Sequence, residues 1–432
     1  MGYHRIVIVG GGFGGLNVAK GLKKAKCDVL LIDRTNHHLF QPLLYQVATA
    51  ALSPGEIGIP IREILRNQEN ASVIMGQVAG VDKKLKQVIL GNDDRIGYDF
   101  LVLAPGARHS YFGNEKWEPF APGLKTISDA LRIREQVLMS FEKAERVGNT
   151  QEAAKFLNFI IIGGGPTGVE MAGAIAEIAH TTLFKNFRRI KPEKSKIYLV
   201  EAAPHILPTY PEKLGLRAQK DLEHLGVHVL TGKKVTDIHE EGVQVEDLYL
   251  ESENVIWAAG NQASPLLKTL DVPLDRQGRV LVEPDLSIPG HPEIFVIGDA
   301  AFAKDKDGKP LPGIAPTAIQ QSKYVAQILR KEIPKNQRSP FRYFDKGSMA
   351  TIGKFKAIAV VGKLQLTGFI AWAAWCFIHI LYLIGFRNRI NVMLEWGFFF
   401  LTGQRGVRLI YRMIDTELFK AKKNNQTTPP PS

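Results

Sequence analysis

Gly10, Gly12 and Gly15 stand at G-x-G-x-x-G spacing directly after the β-branched apolar run 5–9. Gly163, Gly165 and Gly168 repeat that spacing after residues 159–162. Such a finger suits a pyrophosphate. The first glycine permits a tight turn, the second lets the backbone approach the phosphates, and the third lets a helix pack closely on its strand. The following helices, expected from about residue 14 to 24 and from 166 to about 179, would offer unpaired N–H groups and a partial positive charge. Each finger also has an acid to grip a ribose hydroxyl. Asp33 follows Gly10 by 23 residues and Glu201 follows Gly163 by 38, the longer gap holding a basic insert at about 185–196. Ala202 and Ala203 after Glu201 offer no arginine for a 2′-phosphate, which favours NADH over NADPH.

The elements that must position these residues form two strand–turn–helix–strand units about 150 residues apart. Residues 70–90 and 227–245 read as hairpin-rich β segments. Strands at 100–103 and 254–257 then close each unit on a small-residue turn, Ala104-Pro105-Gly106 and Ala258-Ala259-Gly260. Gly298-Asp299 follows a further buried strand at 294–297 and suits hydrogen bonding to the ribityl and phosphate region of a flavin. Lying beyond the second unit, it can close back only onto the first, so the second unit is inserted within the first. FAD at the first finger and NADH at the second is the economical assignment. The expected fold is α/β: two Rossmann-like dinucleotide-binding domains and a C-terminal helical membrane-anchoring region. The expected limits are 1–120 with 284–345 for FAD, 121–283 for NADH, 346–419 for the anchor and 420–432 for a disordered tail.

Composition narrows the function. The chain of 432 residues has a net charge of +12, but from Gln321 onward it carries 18 Lys and Arg against 5 Asp and Glu, so the first 320 residues are close to neutral. Basic charge among Trp and Phe on apolar segments points to an anionic membrane surface and away from nucleic acid. The two cysteines, Cys27 and Cys376, allow no disulfide framework, redox-active pair or metal spacing. That disfavours a disulfide reductase and a sulfide:quinone reductase; a non-catalytic flavin-binding membrane protein is a rival of another class. A strand begins at once at the N-terminus, with no signal peptide before it, so the bulk of the chain is expected on the cytoplasmic side.

Several runs are more specific than either finger: His38-Leu39-Phe40-Gln41-Pro42-Leu43-Leu44-Tyr45-Gln46-Val47-Ala48, residues 163–170, Gly298-Asp299-Ala300, residues 315–321 and Gly385-Phe386-Arg387-Asn388-Arg389. Through these the chain closely resembles type II NADH dehydrogenases of the two-dinucleotide flavoprotein superfamily, over nearly its whole length. The resemblance implies a non-pumping NADH:quinone oxidoreductase, with NADH, a membrane quinone and a second copy of the chain as its partners. It assigns Gly10, Gly12, Phe13, Gly14, Gly15, Asp33, Arg34, Pro42, Leu43, Val78, Ala104, Pro105, Gly106, Asp299 and Ala318 to FAD. It assigns Gly163, Gly165, Pro166, Thr167, Gly168, Glu201, Ala259 and Gly260 to NADH. Gln46 and Gln320 should border the quinone, with Lys346 a weaker candidate. Many relatives carry Ala-Gln where this chain has Ala315-Pro316, which leaves those two glutamines for the quinone. The helix opening at Pro316 would aim its positive end at the flavin. Glu170, expected on the first turn of the second-finger helix, becomes a candidate in proton delivery. His37, His38 and His379 read as structural.

The tail offers two readings. Residues 366–386 carry no formal charge over 21 positions, long enough on length alone to span a bilayer. Against spanning, Trp372, Trp375 and His379 sit along the segment, and Arg405, Arg408 and Arg412 recur at i, i+3 and i+7 as on one face of an interfacial helix. Monotopic anchoring is the favoured reading, with truncation before Leu366 expected to free the chain from the membrane and leave its flavin bound.

Overall fold

A computed structural model describes residues 4–148 and 151–411. The end of the expected anchor, Arg412 and the expected tail 420–432 lie outside them. The β-branched runs form the parallel strands they suggest. One sheet of six strands runs Ser287–Ile288, His291–Val296, Phe100–Leu103, His4–Val9, Cys27–Asp33, Ala71–Met75, parallel apart from the first. A second sheet of four parallel strands runs Val227–Thr231, Lys196–Glu201, Asn158–Ile162, Asn254–Trp257. In both, the strand that carries the finger is central. One neighbour carries the acid and the other carries the small-residue turn, so each finger opens at a topological switch point, where α/β sheets bind ligands. Residues 71–75 and 227–231 thus belong to the parallel sheets; the antiparallel meanders begin later, at Val78–Asp82 and Val235–His239.

The two halves are joined differently from the expected limits at 120 and 284. Tyr111, Trp117 and Ala121 pack with Ile160, Val255 and Trp257 of the second sheet. Leu266, Leu267, Leu270 and Val280 pack with Val7, Leu30 and Leu101 of the first. Both crossings fall on one antiparallel ribbon, Ala107–His109 against Asn261–Ala263. Periodicity cannot reveal this, because the crossing is fixed by contacts about 150 residues apart in sequence.

The C-terminal region is not purely helical. Ser348–Gly353, Lys356–Val361 and Leu364–Thr367 form an antiparallel sheet, which packs so closely on the second-finger helix (Pro166–Glu177) that a Cβ at Gly173 would collide with the Ile352 carbonyl. The uncharged segment 366–386 is not one helix either. Its start belongs to the last strand, Gly368 (φ 66°) opens a helix of 15 residues, Gly368–Tyr382, and Gly385 (φ 89°) separates that from Phe386–Thr402. Among the described residues, no helix is long and apolar enough to cross a membrane.

Nor is the tail a detachable appendage. Trp375, Leu383, Val392 and Trp396 are buried in the same core as Tyr45, Val47 and Ile175. Burial contributes about 1.5–3 kcal/mol for each aliphatic side chain among them. Truncation before Leu366 would therefore strip the wall from Tyr45 and Gln46, against the expectation of an intact flavoprotein lacking only its anchor.

Candidate active site

The two fingers are built alike. Gly10 (φ 101°) and Gly163 (φ 110°) adopt a left-handed backbone. A Cβ would drive Gly10 into Ala104 and Gly163 into Ala258, on the closing turns named from sequence. Gly15 and Gly168 sit so close to the carbonyls of Gly10 and Gly163 that any side chain would push helix from strand. The acids end their strands as expected. Asp33 accepts from the Gly11 N–H at 2.6 Å, and Glu201 accepts from the equivalent Gly164 N–H and from the Ala203 N–H at 2.7 Å.

These residues fit a dinucleotide at each finger. Gly12 and Gly165 are the N-caps of their helices, neither forms a side-chain cap bond, and the space beside each is open for 4 Å where a Cβ would stand. The first-turn N–H groups therefore face a cradle shaped for phosphate oxygens. Near the first finger, Phe13 packs edge-on against His38 and Phe40, and Nδ1 of buried His38 bonds the Gly11 carbonyl at 2.9 Å. Pro42 and Leu43 form the turn Gln41–Leu43 that leads into the short helix Leu44–Ala48. Val78 opens the first meander, buried, and Arg34 is exposed beyond Asp33.

A crevice of about 350 Å³ joins the two halves. Gly165, Pro166, Thr167 and Gly260 line it from the second finger, and Gly298, Asp299 and Thr317 from the other side. Thr317 lies in the first turn of the helix Ala315–Arg330, so that helix opens on the crevice, with Ala318 next to Gly298. Two residues here escaped the sequence reading. Gln321, fully buried, accepts from the Gly298 N–H at 2.6 Å and fixes that turn. Lys125 reaches the crevice opposite Asp299, its ammonium pushed below the usual lysine range by burial. Neither cysteine lines this crevice: Cys27 begins a first-sheet strand and Cys376 lies in the tail.

A second cavity, a slot of about 50 Å³, lies where the loop after Phe40, the second-finger helix and the tail meet. Gln46 is held at both ends of its carboxamide. Its nitrogen donates to the Tyr45 hydroxyl at 2.9 Å, and its oxygen accepts from the Trp396 indole N–H at 2.7 Å. Glu170 and Glu177 face the slot from one side of their helix, seven positions apart. Glu170 is the fifth residue of that helix, past the first turn, so the helix-terminus reading does not apply. Burial instead pushes its carboxyl up to about 8.

Arg405 departs furthest from expectation. The helix ends at Thr402 with Gly403 left-handed, so Arg405 and Arg408 share no helical face. Arg405 is only 4% exposed; its guanidinium donates to the Thr49 carbonyl at 2.6 Å and to Glu177 at 2.9 Å, while Glu177 also accepts from the Lys354 N–H. Burial drives each partner toward its neutral form, and their mutual contact opposes that drift. Gln320 is not brought to the slot: its amide is clamped to both backbone groups of Phe344 at 2.9 Å. Lys346 reaches the Tyr382 hydroxyl at 2.8 Å on the exposed side of the tail.

A family model for pyridine nucleotide-disulphide oxidoreductases matches residues 4–322. The chain is 48% identical over 418 residues to the type II NADH:quinone oxidoreductase Ndh of Mycobacterium tuberculosis, covering 93% of this chain and 89% of that protein. It is 44% identical over 422 residues to NdhA of the same organism, covering 94% and 89%. The solved structure of NDH2 from Plasmodium falciparum in complex with NADH has the same fold, with a TM-score of 0.85 at 22% identity over 94% of this chain and 99% of that one.

Proposed function

Because this chain belongs to the pyridine nucleotide-disulphide oxidoreductases, and within them to the type II NADH:quinone oxidoreductases, we propose that it divides its reaction between the crevice and the slot. FAD, held by the first finger, would supply a two-electron relay between NADH and a quinone. The second finger and Glu201 bind NADH and direct its nicotinamide into the crevice. The first finger, Asp33 and the Gly298-Asp299 turn bind FAD on the sheet that gathers residues 4–103 and 287–296. The observation that carries the division is the slot, on which Gln46, Glu170 and the tail converge away from the crevice.

Quinone reduction consumes two protons, and Glu170 holds one at neutral pH because burial lifts its carboxyl to about 8. Glu170→Gln should lower quinone turnover at pH 7 by about 10²-fold, as for loss of a general acid. It should also remove the decline of turnover above pH 8 that the parent enzyme is expected to have, and leave flavin reduction by NADH intact. A parent-like profile in the variant would remove Glu170 from proton delivery. Stability gives an independent sign: a raised carboxyl favours folding below its unfolded value and loses that contribution as pH climbs to about 8. Glu170→Gln should therefore resist heat better than the parent at pH 9.

The tail supports monotopic attachment. Phe377, Phe386, Leu394 and Leu401 are between 67% and 89% exposed, and Arg387, Arg389 and Arg408 lie in the same stretch of sequence. Apolar side chains rimmed by arginine suit the interface of an anionic leaflet. The family resemblance adds a homodimer. Full-length enzyme should float with anionic vesicles, and Leu394→Glu with Leu401→Glu should leave it in the soluble fraction; undiminished flotation would contradict attachment through these residues.

A further inference from the structure

Three residues of the tail that line the slot, Trp375, Trp396 and Arg405, carry hydrogen-bond donors, and two of those donors are unused. The Trp396 indole N–H is spent on Gln46. The Trp375 indole N–H and the Nε–H of Arg405 are buried and have no hydrogen-bond partner among the described residues. Both side chains line the slot. Trp375 is 2% exposed, its ring stacked on His379 at 4.0 Å and set edge-on to Tyr45. Arg405 is held by both terminal nitrogens, which fixes where its Nε–H stands.

A buried donor without an acceptor costs a protein stability, and two on the wall of one cavity call for an acceptor that the chain itself does not supply. The slot's size restricts that acceptor. A cavity of about 150 Å³ can enclose a benzene ring; at about 50 Å³ this slot admits the leading edge of a planar ring. The leading edge of a quinone is a carbonyl, an acceptor with two lone pairs.

We propose that the Trp375 indole N–H and the Arg405 Nε–H are the hydrogen-bond donors that receive the inserted carbonyl oxygen of the quinone. The inference rests on the reading of the slot as the quinone site. It makes the tail part of the substrate site: an indole from the helix Gly368–Tyr382 and a guanidinium from the strap after Gly403 complete a pocket begun by Gln46. Arg405 contributes a hydrogen bond that strengthens as negative charge builds on the oxygen, since charge-assisted bonds are the stronger kind. The same guanidinium stays neutralised by Glu177 before substrate enters.

Trp375→Phe removes one donor and keeps a ring. Arg405→Lys keeps a cation for Glu177 and removes the other. With FAD-loaded full-length enzyme in detergent and a short-chain benzoquinone as the probe, Trp375→Phe should raise the quinone KM by about 3- to 10-fold, and Arg405→Lys by about 10-fold or more. The NADH KM and the rate of flavin bleaching by NADH should not move, and the dissociation constant of the same benzoquinone, measured without NADH by quenching of flavin fluorescence, should rise in parallel. Quinone KM and dissociation constant within twofold of the parent in both variants would overturn the assignment and leave ordered water as the occupant of these donors. Should Arg405→Lys lose its flavin, Trp375→Phe decides alone. Ala174→Leu, which narrows the slot from the helix side, separates this inference from the one beneath it. If it abolishes quinone reduction while the donor variants are normal, only the donor assignment falls. If it leaves quinone reduction unchanged, the slot is not the quinone site and both fall.

Discussion

Arg405→Met is expected to destabilise the protein by about 3–5 kcal/mol, because it strands the buried carboxylate of Glu177 without its counter-charge. Three pieces of chain would loosen together. Glu177 ends the second-finger helix, Thr49 follows the short helix that carries Gln46, and Arg405 anchors the strap in which the Val407 N–H donates to the Ala50 carbonyl. Thermal unfolding followed by flavin release should show a transition well below the parent's. The double variant Arg405→Met with Glu177→Leu should recover much of the loss, since removing both members of a buried pair costs far less than removing one. Equal stability of Arg405→Met and parent would mean that the pair is not buried as described.

Gly168→Ala is expected to separate the two cofactors. Its Cβ would meet the Gly163 carbonyl, forcing the second-finger helix away from its strand. A displacement on the order of 1 Å at a reacting centre costs roughly 10²-fold in rate. Bleaching of the flavin by NADH should slow by about that factor, while dithionite still bleaches it and flavin content stays normal, because the first finger belongs to the other sheet. Loss of flavin in this variant would argue that the fingers are assigned in reverse.

What could be read directly from sequence was whatever local spacing decides. The fingers, the acids ending the next strands and the closing turns at Ala104 and Ala258 all depend on residues within a few positions of a strand end, and all sit where expected. The return of the strand before Gly298 to the first sheet was legible too, since topology left it no other partner. Long-range pairing was not. The ribbon 107–109 with 261–263 and the sheet at 348–367 are fixed by partners distant in sequence or by tertiary packing on the second-finger helix. In the tail, punctuation was present and outweighed by charge: Gly368, Gly385 and Gly403 each take a left-handed backbone and cut one apparent helix into pieces. That is why Arg405, expected on one face of an interfacial helix, is instead a buried partner of Glu177. Gln320 and Gln321 differ by one position, about 100° around a helix. The sequence motif singled out the first, and packing turned the second toward Gly298.

NADH and quinone are expected to meet this enzyme at two separate cavities. An anaerobic experiment on one sample of FAD-loaded enzyme tests it: NADH is added until the flavin bleaches, then a short-chain quinone until the colour returns, with both rates recorded. Parent enzyme should do both. Gly168→Ala should lose the first step and, once bleached with dithionite, recover its colour with quinone at the parent rate. Ala174→Leu should bleach with NADH at the parent rate and fail to recover with quinone. If either variant slows both steps together, the two substrates share one site and the division drawn here is wrong.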